Sequence, residues 1–178
     1  MSSGRAHATE SLGLSVRAKV PAVPDRSPDD SQAVMTELVL PQHTNSYGTC
    51  FGGTILSWID IAAGVCAGRH AGRPAVTVAF DDVHFITPIR LGDIVNVVAR
   101  ACYVGTTSME IRVDVWRERY GGPREHANTA FVVFVAIDAD GRPVAVPGLT
   151  LTTASDHANF AEAAHRRQQR LARAQRSY

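Results

Sequence analysis

Lysine is almost missing from this 178-residue chain, where Lys19 stands beside 17 arginines. No G-x-x-x-x-G-K-[ST] loop is present, and GTCFGG at 48–53 is not a G-x-G-x-x-G fingerprint, so phosphoryl transfer and nucleotide-driven redox chemistry lose their usual support. Cysteine is scarce as well. Cys50, Cys66 and Cys102 are odd in number, widely spaced and without a C-x-x-C pair, which speaks for reduced thiols against a disulfide framework or a structural zinc. The seven histidines show no H-E-x-x-H or H-x3-H spacing, so no metal site is expected. A serine nucleophile lacks its G-x-S-x-G elbow. Charge of one sign is lacking too: 18 basic against 17 acidic residues leave a net +1, and nothing global recommends a nucleic acid or an anionic membrane. No charged start leads into an apolar N-terminal stretch, so a secretory signal is not expected and a cytoplasmic protein is. The best membrane-like run, residues 51–68, carries Asp60 at its centre, where an acid costs about 2.5–3.5 kcal/mol on insertion scales. It reads as a buried helix.

What is present is the composition of a packed domain. Hydrophobic residues make up 45% and charged ones 20%, and a chain of this length buries roughly 70% of its unfolded surface around one core. Residues 1–32 mix Ser, Gly, Pro and charges without periodicity and are expected to form a flexible arm. Residues 33–150 carry the domain, and 151–178 form an arginine-rich tail, expected to be helical from Asp156 and to lie outside the core.

Within the domain the pattern predicts a strand over 33–40, a polar loop over 43–53 and a long helix from Thr54 to the break at 72–74. Strands follow over 75–85, 93–104, 107–118 and 128–137, joined by short turns. Val95, Val97, Ala99, Ala101 and Tyr103 are placed on one face. In the next strand Met109, Ile111, Val113 and Val115 oppose Ser108, Glu110, Arg112 and Asp114, so one face is expected to be wet. The order strand, helix, four strands implies an α+β fold: a mainly antiparallel sheet curled around one helix kept thin by Ala62, Ala63, Gly64, Ala67 and Gly68.

Two features could carry chemistry. Asp60 is the only acid between Glu37 and Asp81 and sits in the most apolar helix; a buried carboxylate is costly unless paired, hydrogen-bonded or functional. The bland alternative is a small wet patch or a local bond to Ser57. The loop before the helix supplies Asn45 as a neutral donor and acceptor. Gly52 and Gly53 stand at the helix start, where free amides can hold an oxyanion, unless the pair only permits a tight turn. A Cys50–His43 couple is the weaker nucleophile reading.

The runs TNSYGTCFGGTILSWID from Thr44, AVTVAFDDVHFITPIRLGDIV from Ala75, VGTTSMEIRVDVW from Val104 and FVVFVAIDADGRPVAVP from Phe131 occur in this order over roughly 110 residues. In type and spacing the chain resembles the hotdog-fold acyl-CoA thioesterases, in particular the bacterial YciA-like branch related to the cytosolic acyl-CoA hydrolases of mammals. The resemblance implies a homodimer joined edge to edge and assembled as a hexamer, a trimer of dimers. It implies that Asp60 is the catalytic acid on the central helix, as base or nucleophile. Asn45 from the other subunit would orient carbonyl or water, and a Gly52 or Gly53 amide would hold the carbonyl oxygen. Val78, Phe85 and the turn Gly105, Thr106, Thr107 and Ser108 would line the pantetheine channel, with Arg69 or Arg90 toward the coenzyme A phosphates. No cofactor is implied. A hotdog hydratase or dehydratase, which would want a His beside an acid, and a non-catalytic acyl-CoA sensor are the alternatives. Nucleic-acid binding through RRQQRLARAQR lacks the aromatic residues that stack bases.

Overall fold

The computed structural model describes residues 24–176, so the first 23 residues of the expected arm lie outside the described residues. Five strands form one sheet: β1 (Ala33–Leu38), β2 (Ala75–Phe85), β3 (Ile94–Val104), β4 (Ser108–Glu118) and β5 (Glu125–Ala136). Their order across the sheet is β1-β3-β4-β5-β2, and every pairing is antiparallel. Helix α1 (Gly52–Ala71) lies against all five strands. Its buried residues, Ile55, Trp58, Ile59, Ala62, Ala63, Cys66, Ala67, His70 and Ala71, recur at the three- and four-residue spacing of one helical stripe. The Phe134 ring packs beside Gly64, where an added Cβ would stand in ordinary contact at 3.6 Å. Gly72, at φ 66°, ends the helix in the left-handed conformation that suits glycine. This is the antiparallel sheet around one helix that the order of elements predicts, and the hotdog architecture that the family resemblance implies.

The inner face of the sheet follows the predicted alternation. Met109, Ile111, Val113 and Val115 are fully buried under α1, each contributing about 1.5–3 kcal/mol of apolar burial. Bulges then change the parity of two strands, since one extra residue moves every later side chain to the opposite face. In β3 the register shifts between Ala101 and Tyr103. Tyr103 therefore leaves the face of Val95, Val97, Ala99 and Ala101, where the alternation placed it, and stacks on Phe160 outside the sheet, 5.0 Å between ring centres. In β2 a shift between Thr77 and Ala79 keeps Thr77 on the helix side and turns Asp81 outward.

The outer face is less wet than the alternation suggests. Helix α2 (Ala154–Arg176) covers part of it, and Glu110, expected in solvent, is 1% exposed. Arg166 donates to Glu110 Oε1 through Nε and Nη2 at 2.9 and 2.8 Å, and Arg170 lies 2.5 Å from Oε2 and donates to Asp81 at 2.8 Å. Arg166 also lies over the Phe131 ring, and Ala163 is fully buried. The tail is helical as expected, but it packs on the domain instead of lying apart from it, because its arginines neutralise the acids of the sheet.

The described part of the arm is likewise anchored. Arg26 pairs with Leu149, Asp29 bridges to Arg100 at 2.8 Å, and Ser31 Oγ meets His70 Nδ1 at 3.3 Å. His70 Nε2 faces the Pro147 carbonyl at 3.2 Å, so the neutral ring with its proton on Nε2 satisfies both neighbours. One buried imidazole thus ties arm, helix and C-terminal segment together.

Candidate active site

The loop before α1 is a small ordered hairpin. Thr44 pairs with Cys50 and Thr49 with Arg90, while the Cys50 amide donates to the Ile89 carbonyl at 2.7 Å. Inside it, Asn45 Oδ1 accepts from the Tyr47 amide at 2.9 Å, and Nδ2 lies 2.9 Å from Thr49 Oγ1. This turn chemistry is the usual work of an asparagine, and Gly48, at φ 72°, completes the reversal. The loop delivers the chain to α1 without a side-chain cap and without an acid in the first turn. The Gly52 and Gly53 amides have no intrahelical acceptor by helix geometry, so they remain available to an oxygen ligand. A cavity of about 280 Å³ opens at this end, lined by Thr49, Gly52, Ile55, Phe85 and Ile86 among others.

Asp60 lies two turns further along α1, half-buried. Its Oδ1 accepts a hydrogen bond of 2.7 Å from Thr77 Oγ1 on β2, and this partner replaces the local bond to Ser57 that the sequence allowed. Thr77 escaped the sequence reading. Its signal was a lone hydroxyl in the apolar start of a strand, AVTVAF, facing a helix with a lone acid.

The expected site residues fall into two groups at opposite ends of β2. Asp60 and Thr77 share one end with the Gly105–Ser108 turn, because Ser108 pairs with Val135 and Val135 with Val76. Asn45, Gly52, Gly53, Phe85 and Arg90 occupy the other, where the Phe85 ring lies beside Gly52. Thr77 and Phe85 are eight residues apart, about 26 Å of extended strand. Along the helix, Gly52 and Asp60 are about 12 Å apart. One chain therefore does not bring the Asp60 carboxylate to the carbonyl position at its own helix start. Val78 is exposed at the β2 bulge. Arg69 donates to the Gln32 carbonyl, whereas the Arg90 side chain is exposed at the mouth of a second cavity.

The Cys50–His43 couple does not form. Burial pushes the Cys50 thiol up to about 11, and its Sγ faces the Phe51 carbonyl. His43 accepts from the Leu40 amide and packs edge-on against Trp58. Cys66 is likewise raised by burial to about 11, and all three cysteines are free and buried. Among the described residues no three His, Cys, Asp or Glu side chains converge as metal ligands, and no helix is long and apolar enough to cross a membrane.

Residues 47–121 match the family profile of the thioesterase superfamily. The chain is 44% identical over 119 residues to the uncharacterized acyl-CoA thioester hydrolase YkhA of Bacillus subtilis, covering 66% of this chain and 69% of that protein. An acyl-CoA hydrolase of Staphylococcus aureus, solved with butyryl coenzyme A, coenzyme A and coenzyme A disulfide, superposes with a TM-score of 0.81 at 35% identity. The match covers 86% of this chain and 94% of that one. The same hydrolase has been solved as alanine variants of an asparagine, an aspartate 15 residues later and a threonine 17 residues after that. A hexameric thioesterase of Yersinia pestis gives a TM-score of 0.63 at 34% identity over 65% of this chain and 95% of its own.

Proposed function

This chain belongs to the YciA-like acyl-CoA thioester hydrolases of the thioesterase superfamily, and from that premise we propose that it hydrolyses acyl-coenzyme A to a carboxylic acid and free coenzyme A at sites shared by two copies. The observation that carries the proposal is the Asp60 carboxylate held by Thr77 on an otherwise apolar helix face. Asn45, Asp60 and Thr77 repeat the 15- and 17-residue spacing of the three positions replaced in the Staphylococcus aureus hydrolase.

The separation of the two residue groups supports a shared site. Strand β2 is an edge of the sheet, with Val76, Val78, Phe80 and Phe85 exposed on it and Ile61 and Val65 exposed on α1. Pairing two β2 strands antiparallel about a twofold axis sets the Thr77 end of one copy beside the Phe85 end of the other. Asp60 of one copy then faces Asn45 and the Gly52 and Gly53 amides of its partner. Three such dimers would form the hexamer, in a cytoplasmic enzyme.

In this arrangement a Gly52 or Gly53 amide donates to the thioester oxygen as it gains charge, an interaction worth about 3–4 kcal/mol in acyl transfer. Asn45 orients the carbonyl or the water. Thr77 occupies Oδ1 of Asp60, and Oδ2 takes the proton as water attacks the carbonyl carbon. The tetrahedral intermediate collapses with cleavage of the C–S bond, and the departing thiolate recovers a proton. A thiolate leaves readily, so the route calls on no metal or redox group. The Val78 and Phe85 strand and the Gly105–Ser108 turn flank the path for the pantetheine arm.

A thiol-release panel from acetyl- to palmitoyl-CoA tests the proposal. The wild type releases thiol on at least one chain length, and Asp60→Asn lowers turnover at least about a hundredfold with an unchanged circular dichroism spectrum. No release on any thioester, or full activity in the variant, refutes it.

A further inference from the structure

Asn128 is fully buried near the start of β5, and among the described residues neither its Oδ1 nor its Nδ2 has a hydrogen-bond partner. A buried carboxamide is ordinarily satisfied, because taking its donor and acceptor out of water without replacement costs stability. The register fixes where it points. Asn128 shares a face of β5 with Ala130, Val132 and Phe134, and the Phe134 ring packs beside Gly64 of α1, so the carboxamide stands on the helix side of the sheet. It pairs with the buried Val115 on one flank and with Phe85 on the other. The Phe85 ring lies beside Gly52 and is a wall of the cavity of about 280 Å³ at the helix start. The neighbouring Ala127 carbonyl accepts from the amide of Ile86, a second wall of that cavity, at 2.9 Å. The unpartnered carboxamide, the free helix-start amides and the cavity thus share one end of the fold.

We infer that Asn128 determines specificity for the acyl group, selecting short hydroxyacyl thioesters over unsubstituted ones, an inference that rests on the proposed activity. With the thioester carbonyl at the Gly52 and Gly53 amides, the acyl carbons enter the cavity beside Ile55 and Phe85. Phe85 is 55% exposed, so its ring has room to turn aside and open Asn128 to the cavity, a rotamer change that is fast on the scale of turnover. An unsubstituted chain meets apolar walls and leaves the carboxamide unpaired. A hydroxyl on the chain donates to Oδ1 or accepts from Nδ2, and a buried polar group that gains its partner only from the substrate discriminates against the analogue that lacks it. An unsatisfied amide kept in the core at a cost in stability is expected of a binding position and not of a packing one.

The test measures kcat/KM on butyryl-CoA and on 2- and 3-hydroxybutyryl-CoA for the wild type and for Asn128→Leu, which nearly keeps the volume and removes both polar atoms. The wild type should favour one of the hydroxy thioesters over butyryl-CoA by at least about tenfold, and the variant should lose that preference while its melting temperature rises. Asn128→Val, which is smaller, carries the same comparison if the leucine variant does not fold. No preference in the wild type, or the same preference in the variant, overturns the inference and leaves the hydrolase standing. Calorimetric binding of the intact thioesters separates Asn128 from the chemistry. In a protein that cleaves none of them, tighter binding of a hydroxy thioester that the variant loses supports the role of Asn128 and refutes the proposed activity. Equal binding of all three thioesters in such a protein refutes both.

Discussion

Replacing Thr77 by valine removes one hydroxyl and keeps the branched shape, so it isolates the 2.7 Å hydrogen bond to Asp60. In the proposed reaction that bond fixes the rotamer of the carboxylate and so aims Oδ2 at the attacking water. A hydrogen bond to a charged group is worth about 1.5–3 kcal/mol, and each 1.36 kcal/mol is a factor of ten in rate. Thr77→Val should therefore lower kcat by about ten- to a hundredfold. KM should change little, because Thr77 acts on the acid and not on the substrate, and Thr77→Ser should recover most of the loss. The assay is thiol release at saturating acyl-CoA, with the melting temperature of each variant measured alongside. A valine variant that folds and keeps kcat within threefold of the wild type would refute the positioning role. So would a serine variant as slow as the valine one, since serine keeps the donor that valine lacks.

Glu110→Ala strips Arg166 and Arg170 of a buried partner and should cost about 3–5 kcal/mol, measured by denaturant midpoint, with hydrogen exchange in α2 accelerated first. A Glu110→Leu/Arg166→Met pair should recover much of that loss, because well-packed apolar groups often replace a buried ion pair without penalty. Burial holds His70 below its ordinary value, so the unfolded chain binds more protons at mildly acidic pH. The His70 contribution is then complete above about pH 6.5 and is lost as pH falls below it; thermal melts from pH 8 to 5 should show this slope, and His70→Gln should flatten it. Phe80→Glu sets a charge on the apolar β2 face, and light scattering should report a smaller assembly together with lost activity.

Much of the fold was legible because its periodicities are local. The inward set of β4 follows from strict alternation, and the stripe on α1 from three- and four-residue spacing, so both could be read before any contact was known. Tyr103 and Glu110 were misplaced for physical reasons that alternation cannot carry. A one-residue bulge at Cys102 inverts the parity of β3, and α2, distant in sequence, covers a face that looks solvent-bound on its own. In the candidate site Asp60 stood out because an acid in an apolar helix is expensive, and Asn45, Gly52 and Gly53 because of their loop chemistry. Thr77 was not visible, since one threonine in a strand has many innocent explanations until its partner across the fold is seen.

Taken alone, the amino-acid order determined the element types, the α+β class, the buried stripe and the isolated acid, all of which depend on neighbours within a turn or a strand. Tertiary structure decided which donor meets that acid, which side of a strand follows each bulge, and which arginines face a cleft and which neutralise the sheet. It also set the two groups of site residues at opposite ends of β2, because the reach of a strand, and not the order of residues, determines how far apart they stand.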